Sequence, residues 1–306
     1  ILIKFFIKQD LSKLTKKKLF IWTCDYSENT GEGKLARLFI KKLNRKNEFN
    51  LIFNNKKETK QKYLSTFFGI IYCWKKFFKS ENVCYLNYLP LWNFLIFVFL
   101  PPRTILGPIT GGANYLKRDI FSYVIRGLVF PIFYKISEFS LILRKSNLIF
   151  STDLLKKHLL KQTIKKSDFN FVLNNFFIKS HIKKKKKIDF LIYYRKHKNK
   201  ENFFPYAFIK KLTKLNFKIF IVGNKLNLPL IKNCGFVSNN KVSHLQSLAK
   251  YTIISGENPY SFFILECLSN HVKIIFDKRM KKKILLPKKN LIELNYNSLD
   301  SIKKLK

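Results

Sequence analysis

Short runs of apolar, β-branched and aromatic residues recur along the second half of the chain, at 188–194, 218–222, 234–237, 251–255 and 272–276. Between them, residues 203–215, 243–250 and 261–269 place apolar side chains at helical spacing. Strand and helix periods that alternate in this way predict a parallel, doubly wound sheet. The first half repeats the theme less sharply. Residues 18–23 read as a strand, 25–33 as a polar Gly-bearing loop and 34–43 as an amphipathic helix. Residues 104–112 read as a strand entering a Gly/Pro-rich loop, and 146–155 as the last strand of this half. The fold class expected is α/β, with two Rossmann-like doubly wound domains facing a cleft. They cover 1–180 and 181–306, with the boundary in the charged, aperiodic run 179–187.

The segment 241–276 carries the most chemistry. Gly256 to Pro259 break the chain between a strand and the helix at 261–269. A helix starting there turns its N–H groups and positive dipole end toward the carboxyl edge of the sheet, where open α/β sheets hold ligands. Glu257 and Glu266 bracket this turn and helix, and carboxylates so placed suit the hydroxyl groups of a ribose or hexose. Glu257 is also placed to cap the helix that follows. Glu266 lies among Phe262, Phe263, Ile264, Leu265 and Leu268, so a charge at this position requires a partner. At the end of the 188–194 strand stands Arg195, with Lys200 five residues on. Fixed cations at a strand end stabilise a departing diphosphate most strongly in the transition state.

These segments resemble the donor-binding domain of the GT-B glycosyltransferases, in particular glycosyltransferase family 4. In that family a strand ends near Ser, a Glu and an aromatic-rich turn follow, and a second Glu stands eight residues later. Glu266 takes the place of the second Glu and Asn258 that of the first, while Glu257 sits one position early. His271 and Lys273 replace the Gly and Pro of the pattern. Arg195 and Lys200 have the spacing of the family's diphosphate-binding pair, with Glu201 where a Gly follows the Lys.

The resemblance implies a donor diphosphate on Arg195 and Lys200, ribose on Glu266, and sugar at Glu257 or Asn258, with Arg195, Lys200 and Glu257 as the catalytic set. The loops holding Gly31, Glu32 and Gly33, and Gly111 and Gly112, are expected to close the cleft over donor and acceptor. The implied donor is a nucleotide-sugar, with no further cofactor, and the reaction retaining and metal-independent. The chain also lacks the Asp-x-Asp signature of the other large glycosyltransferase fold. The implied acceptor is a cell-surface glycan or lipid-linked molecule such as a lipopolysaccharide core, reached from the cytoplasm at the inner face of the membrane. Two alternatives stay open: a GT-B-like binding protein without the chemistry, and a basic nucleic-acid- or membrane-associated protein.

Charge and composition refine this reading. The chain of 306 residues has a formal net charge of +42. Only eight of its 60 basic residues are Arg, whereas base-reading and bidentate phosphate sites favour Arg. The lysines are spread along the chain and accompany an excess of Asn, Ile and Phe, as AT-rich coding produces, so no specific nucleic-acid partner is expected. An anionic membrane surface would still attract such a protein. The most apolar run, 91–100, is bounded by prolines and is too short to span a bilayer as a helix. It reads as a buried helix, with Phe94, Phe97 and the aromatic-rich 123–134 segment as an alternative interfacial face. Five scattered cysteines form no pair or metal motif, and Cys267 reads as a helix-packing residue.

Overall fold

The computed structural model describes residues 16–55, 64–111, 124–144, 147–176, 184–196, 201, 204–254, 258–278 and 284–305. The first sheet begins with β1 (Lys17–Trp22), whose Leu19, Phe20, Ile21 and Trp22 are all buried. Four consecutive buried residues mark a strand covered on both faces, as parallel sheets require. Next come α1 (Gly31–Leu43), β2 (Phe49–Phe53), α2 (Ser65–Phe77), β3 (Asn82–Tyr85), α3 (Phe94–Phe99) and β4 (Ile105–Leu106). The strand order is β2-β1-β3-β4, and all the pairings are parallel. A π-helical turn at Ile125–Val129 leads into α4 (Phe130–Leu143). The short parallel pair β5 (Leu148–Ile149) and β6 (Ser167–Asp168) flanks α5 (Lys161–Lys165) and joins the sheet through an Ile109–Phe150 bridge. Helix α6 (Phe171–Asn175) closes this half.

The second sheet contains β7 (Ile188–Tyr194), β8 (Ile219–Gly223), β9 (Ile231–Gly235), β10 (Ala249–Ile253), β11 (Lys273–Asp277) and β12 (Leu291–Leu294). Helices α7 (Tyr206–Lys214), α8 (Asn239–Leu248), α9 (Phe262–Ser269) and α10 (Leu299–Lys303) accompany them. The strands lie in the order β12-β11-β10-β7-β8-β9, all parallel. The chain therefore starts in the middle, winds outward to one edge through β8 and β9, then returns beside β7 as β10. This is the 3-2-1-4-5-6 order of a Rossmann sheet, with its reversal between β7 and β10. Two Rossmann-like α/β units are thus present, as expected.

Residues 179–183 of the expected boundary run lie outside the described residues. Its last part has a structural task. Lys186 Nζ donates to Ser247 O at 3.1 Å and Asn270 O at 2.9 Å, placing a cation on the carboxyl ends of both α8 and α9. Several local expectations shift. The strand expected at 234–237 is β9, three residues earlier; it is an edge strand whose IKNCG sequence has no continuous apolar run. The apolar run 91–100 forms a helix buried on one side only: Ile96 and Phe97 face the core, while Leu95, Val98 and Phe99 are exposed.

Candidate active site in the interdomain cleft

Each sheet reverses its winding at one point, and the two reversal points face each other. In the first sheet this is the gap between β1 and β3. Asn87, buried just after β3, accepts from the Thr23 hydroxyl at 2.9 Å and the Cys24 N–H at 3.0 Å, and donates to Asp25 O at 2.6 Å. The Asp25 carboxylate accepts from Ser27 N at 2.9 Å and from the Thr30 hydroxyl at 2.5 Å. Thr30 in turn caps α1 by accepting from Gly33 N at 3.0 Å.

Gly31, Glu32 and Gly33 therefore form the first turn of α1 rather than part of a loop, because the Thr30 cap starts the helix despite two glycines. A Cβ on Gly33 would lie 2.0 Å from Ser27 O, so glycine is required there by the folded-back backbone. Gly111, at φ +126°, needs glycine for its conformation, and Gly112 lies outside the described residues.

In the second sheet the reversal point holds a shallow open depression lined by Tyr193, Phe204, Ile253, Asn258, Ser261, Phe263 and Ile264. Two strands and one helix build it: Tyr193 belongs to β7, Ile253 ends β10, and Ser261 caps α9 by accepting from Ile264 N at 3.4 Å. The positive end of the α9 dipole thus opens on the depression. The Asn258 side chain accepts from Tyr260 N at 2.9 Å, which fixes the turn ahead of the helix. The Tyr193 and Phe263 rings lie 5.6 Å apart and leave Tyr193 partly exposed. Beneath, the Tyr194 hydroxyl meets Glu201 at 2.9 Å and Tyr206 at 2.6 Å, bracing the end of β7.

Three relationships bring the two edges together. Lys34 Nζ of α1 lies 2.5 Å from Glu266 Oε1 of α9. Asn239, at the start of α8, donates to Glu28 O at 3.1 Å in the β1–α1 segment. Tyr88, which follows β3, has its phenol pushed up by burial and then by Glu32, while Arg195 at the end of β7 draws it down. Glu32 itself is pushed up by burial and then by the Asp25 carboxylate. An acid of the first domain and a guanidinium of the second thus act on one ring in the cleft.

Of the expected site residues, Asn258 lines the depression, Arg195 is exposed directly after β7, and Glu32 lies in the first turn of α1. Glu266 is paired with Lys34 and does not line the depression. Lys200 and Glu257 lie outside the described residues. Tyr88, Asn87, Tyr193, Phe204 and Ser261 were not anticipated. Asn87 did leave a trace in the sequence as a lone amide directly after an apolar strand. Cys267 is fully buried among β7, α8 and α9 side chains, a packing residue as read.

Two Rossmann-like α/β units opposed across a cleft constitute the GT-B architecture. The chain is similar to the lipopolysaccharide outer core galactosyltransferase WaaB in its apo form, at 10% identity and TM-score 0.53, covering 94% of this chain and 88% of that one. An alpha-glucosyltransferase solved with UDP and a 13-mer DNA is similar at 9% identity and TM-score 0.50, covering 94% and 89%. A UDP-N-acetylglucosamine 2-epimerase from Listeria monocytogenes, described as putative, gives 9% and 0.50, covering 94% and 86%. At such identities the likeness is one of fold. No protein-family model and no curated protein sequence matches the chain.

Proposed function

We propose that the protein is a glycosyltransferase that takes a sugar from a nucleotide-sugar held at the β7–β10 reversal point and passes it to an acceptor approaching over the first domain. The observation that carries this is the aromatic-lined depression at that point, flanked by the start of α9. Tyr193 and Phe204 offer ring faces to a base or sugar, and Asn258 an amide to a hydroxyl. Arg195, with Lys200, takes the diphosphate, whose charge grows as the bond to the sugar breaks. Glu266 takes the ribose once Lys34 yields it, and Glu257 with Asn258 the sugar. The acceptor is a cell-surface or lipid-linked glycan, and the site of action the cytoplasmic face of the membrane. The solved relatives of this fold support the donor class, since one of them holds UDP.

The test is thermal shift with UDP, GDP, ADP and CMP and their sugars, at salt high enough to suppress generic anion binding. One nucleotide family should stabilise the protein by about 2.7 kcal/mol at a hundred times its dissociation constant, a shift of several degrees. Arg195→Ala should abolish that shift. Equal stabilisation by every polyanion, or by none, would overturn the reading.

A further inference from the structure

We infer that the outer face of α3 and α4 is a docking surface for an anionic lipid bilayer. Val124, Leu128, Ile132, Ile136, Phe139 and Leu143 recur at steps of three and four along the π-turn and α4, which puts them on one side of the helix, and they are 39% to 70% exposed. Leu95, Val98 and Phe99 extend the same face from α3, which packs against α4. Scattered exposed apolar residues are ordinary, but a contiguous, two-helix sheet of them marks an interaction site.

The face is also built rigidly. Arg144, buried at the end of α4, donates to Leu100 O and Pro101 O at 2.8 Å, and to Phe97 O and Pro102 O at 3.3 Å. Ser137 donates to Leu91 O at 2.6 Å from the inner side of α4. The helices are therefore fixed from within while presenting apolar side chains outward.

Charge selects the occupant. The one carboxylate of α3 and α4, Glu138, is buried and engaged by Lys135 Nζ at 2.8 Å and Leu160 N at 2.5 Å. Lys75, Lys79 and Arg103 are exposed, and the Trp74 indole donates to Phe99 O at 2.7 Å, tying the basic end of α2 to the face. Trp92 stacks on Phe130 at 5.4 Å and is partly exposed, an aromatic of the kind that settles at headgroup level. A second copy of a chain with net charge +42 would be repelled, whereas an anionic surface is attracted and the apolar stripe then enters the headgroup boundary. Of the α3 residues, Phe97 points inward, and Leu95, Val98 and Phe99 outward.

The inference stands on this surface alone and does not need the transferase reading, because its test involves no nucleotide. The full chain is sedimented with phosphatidylcholine vesicles and with vesicles containing phosphatidylglycerol, and the indole fluorescence is followed with brominated lipids. Binding to the anionic vesicles and quenching by the brominated chains are expected. Leu128→Ser/Ile132→Ser/Phe139→Ser should weaken binding by tenfold or more and abolish quenching, with an unchanged melting temperature. Undiminished binding of the triple variant would overturn the proposal in favour of generic electrostatics. A dimer that the variant converts to monomer would reassign the face to a second copy. A large fall in melting temperature would show that the face is covered by the chain itself.

Discussion

Lys34 and Glu266 stand 232 residues apart in sequence and 2.5 Å apart in space, one on the first turns of α1 and the other in the middle of α9. Both side chains are about a quarter exposed, so the pair is only partly screened by water. It ties α1 to α9 across the cleft and holds the carboxylate that the functional reading assigns to ribose.

A double-mutant cycle on Lys34→Met and Glu266→Gln should give a coupling of about 1 kcal/mol, measured by urea unfolding. Each single substitution leaves one half-buried partner behind, so the double variant should be less destabilised than the two losses added. Strictly additive losses would mean that the contact contributes nothing. The same variants separate structure from binding, because Lys34→Met frees Glu266 without removing it. If Glu266 receives the ribose, Lys34→Met retains the nucleotide-induced shift and Glu266→Gln loses it.

Glu32 yields a pH prediction of definite sign. Burial first, and the Asp25 carboxylate second, push its carboxyl above the ordinary 4.5. The native state therefore favours the protonated form, and ionisation costs stability as pH rises past the ordinary value. Glu32→Gln should raise the melting temperature at pH 8 and lose that advantage near pH 4. An equal gain at both values would locate the effect in packing rather than charge.

Much of the second domain was legible because its signals are local. The run 188–194 is apolar between lysines and Arg195, and β7 occupies the same residues. The helix expected at 261–269 is α9, although its cap, Ser261, was not anticipated from the sequence. The demand that Glu266 find a partner also followed from its neighbours, but the partner's identity did not, since nothing local distinguishes Lys34 from the other lysines. The start of α1 was missed because two glycines argue for a loop, while the cap that overrides them depends on Thr30 being itself held by Asp25. Edge strand β9 was displaced because solvent on one side relaxes the hydrophobic pattern: Lys232 is exposed within it and Phe236 just after it.

Arg144 should prove one of the least replaceable side chains in the first domain. Its guanidinium satisfies four carbonyls at the end of α3, where no helical N–H can reach. Arg144→Ala removes them all at once in a buried place, and a loss of about 3 kcal/mol is expected by urea unfolding. Arg144→Lys should recover only part of it, because one ammonium cannot reproduce the planar fork. Full recovery by Lys would mean that charge at the helix end, rather than the fork, is what matters.

The five thiols offer a check on the core itself. Burial pushes Cys73 up to about 12, and pushes Cys84 and Cys267 up as well, while Cys24 and Cys234 are only partly buried. Reaction with a disulfide reagent requires thiolate and access together. At pH 8 the native protein should therefore react at no more than two positions, and all five should react after unfolding in urea. Burial pushes the thiols of Cys24 and Cys234 up too. At Cys234 the Lys232 and Lys241 charges oppose the rise. At Cys24 hydrogen bonds with Ser65 and Trp22 oppose it, and Asp25 and Glu32 add to it. Cys234→Ser should accordingly remove the faster native phase and leave the slower one. Rapid labelling of Cys267 in the native state would show that α9 separates from β7 and α8, and the depression at the β7–β10 reversal point would then be an opening rather than a fixed surface.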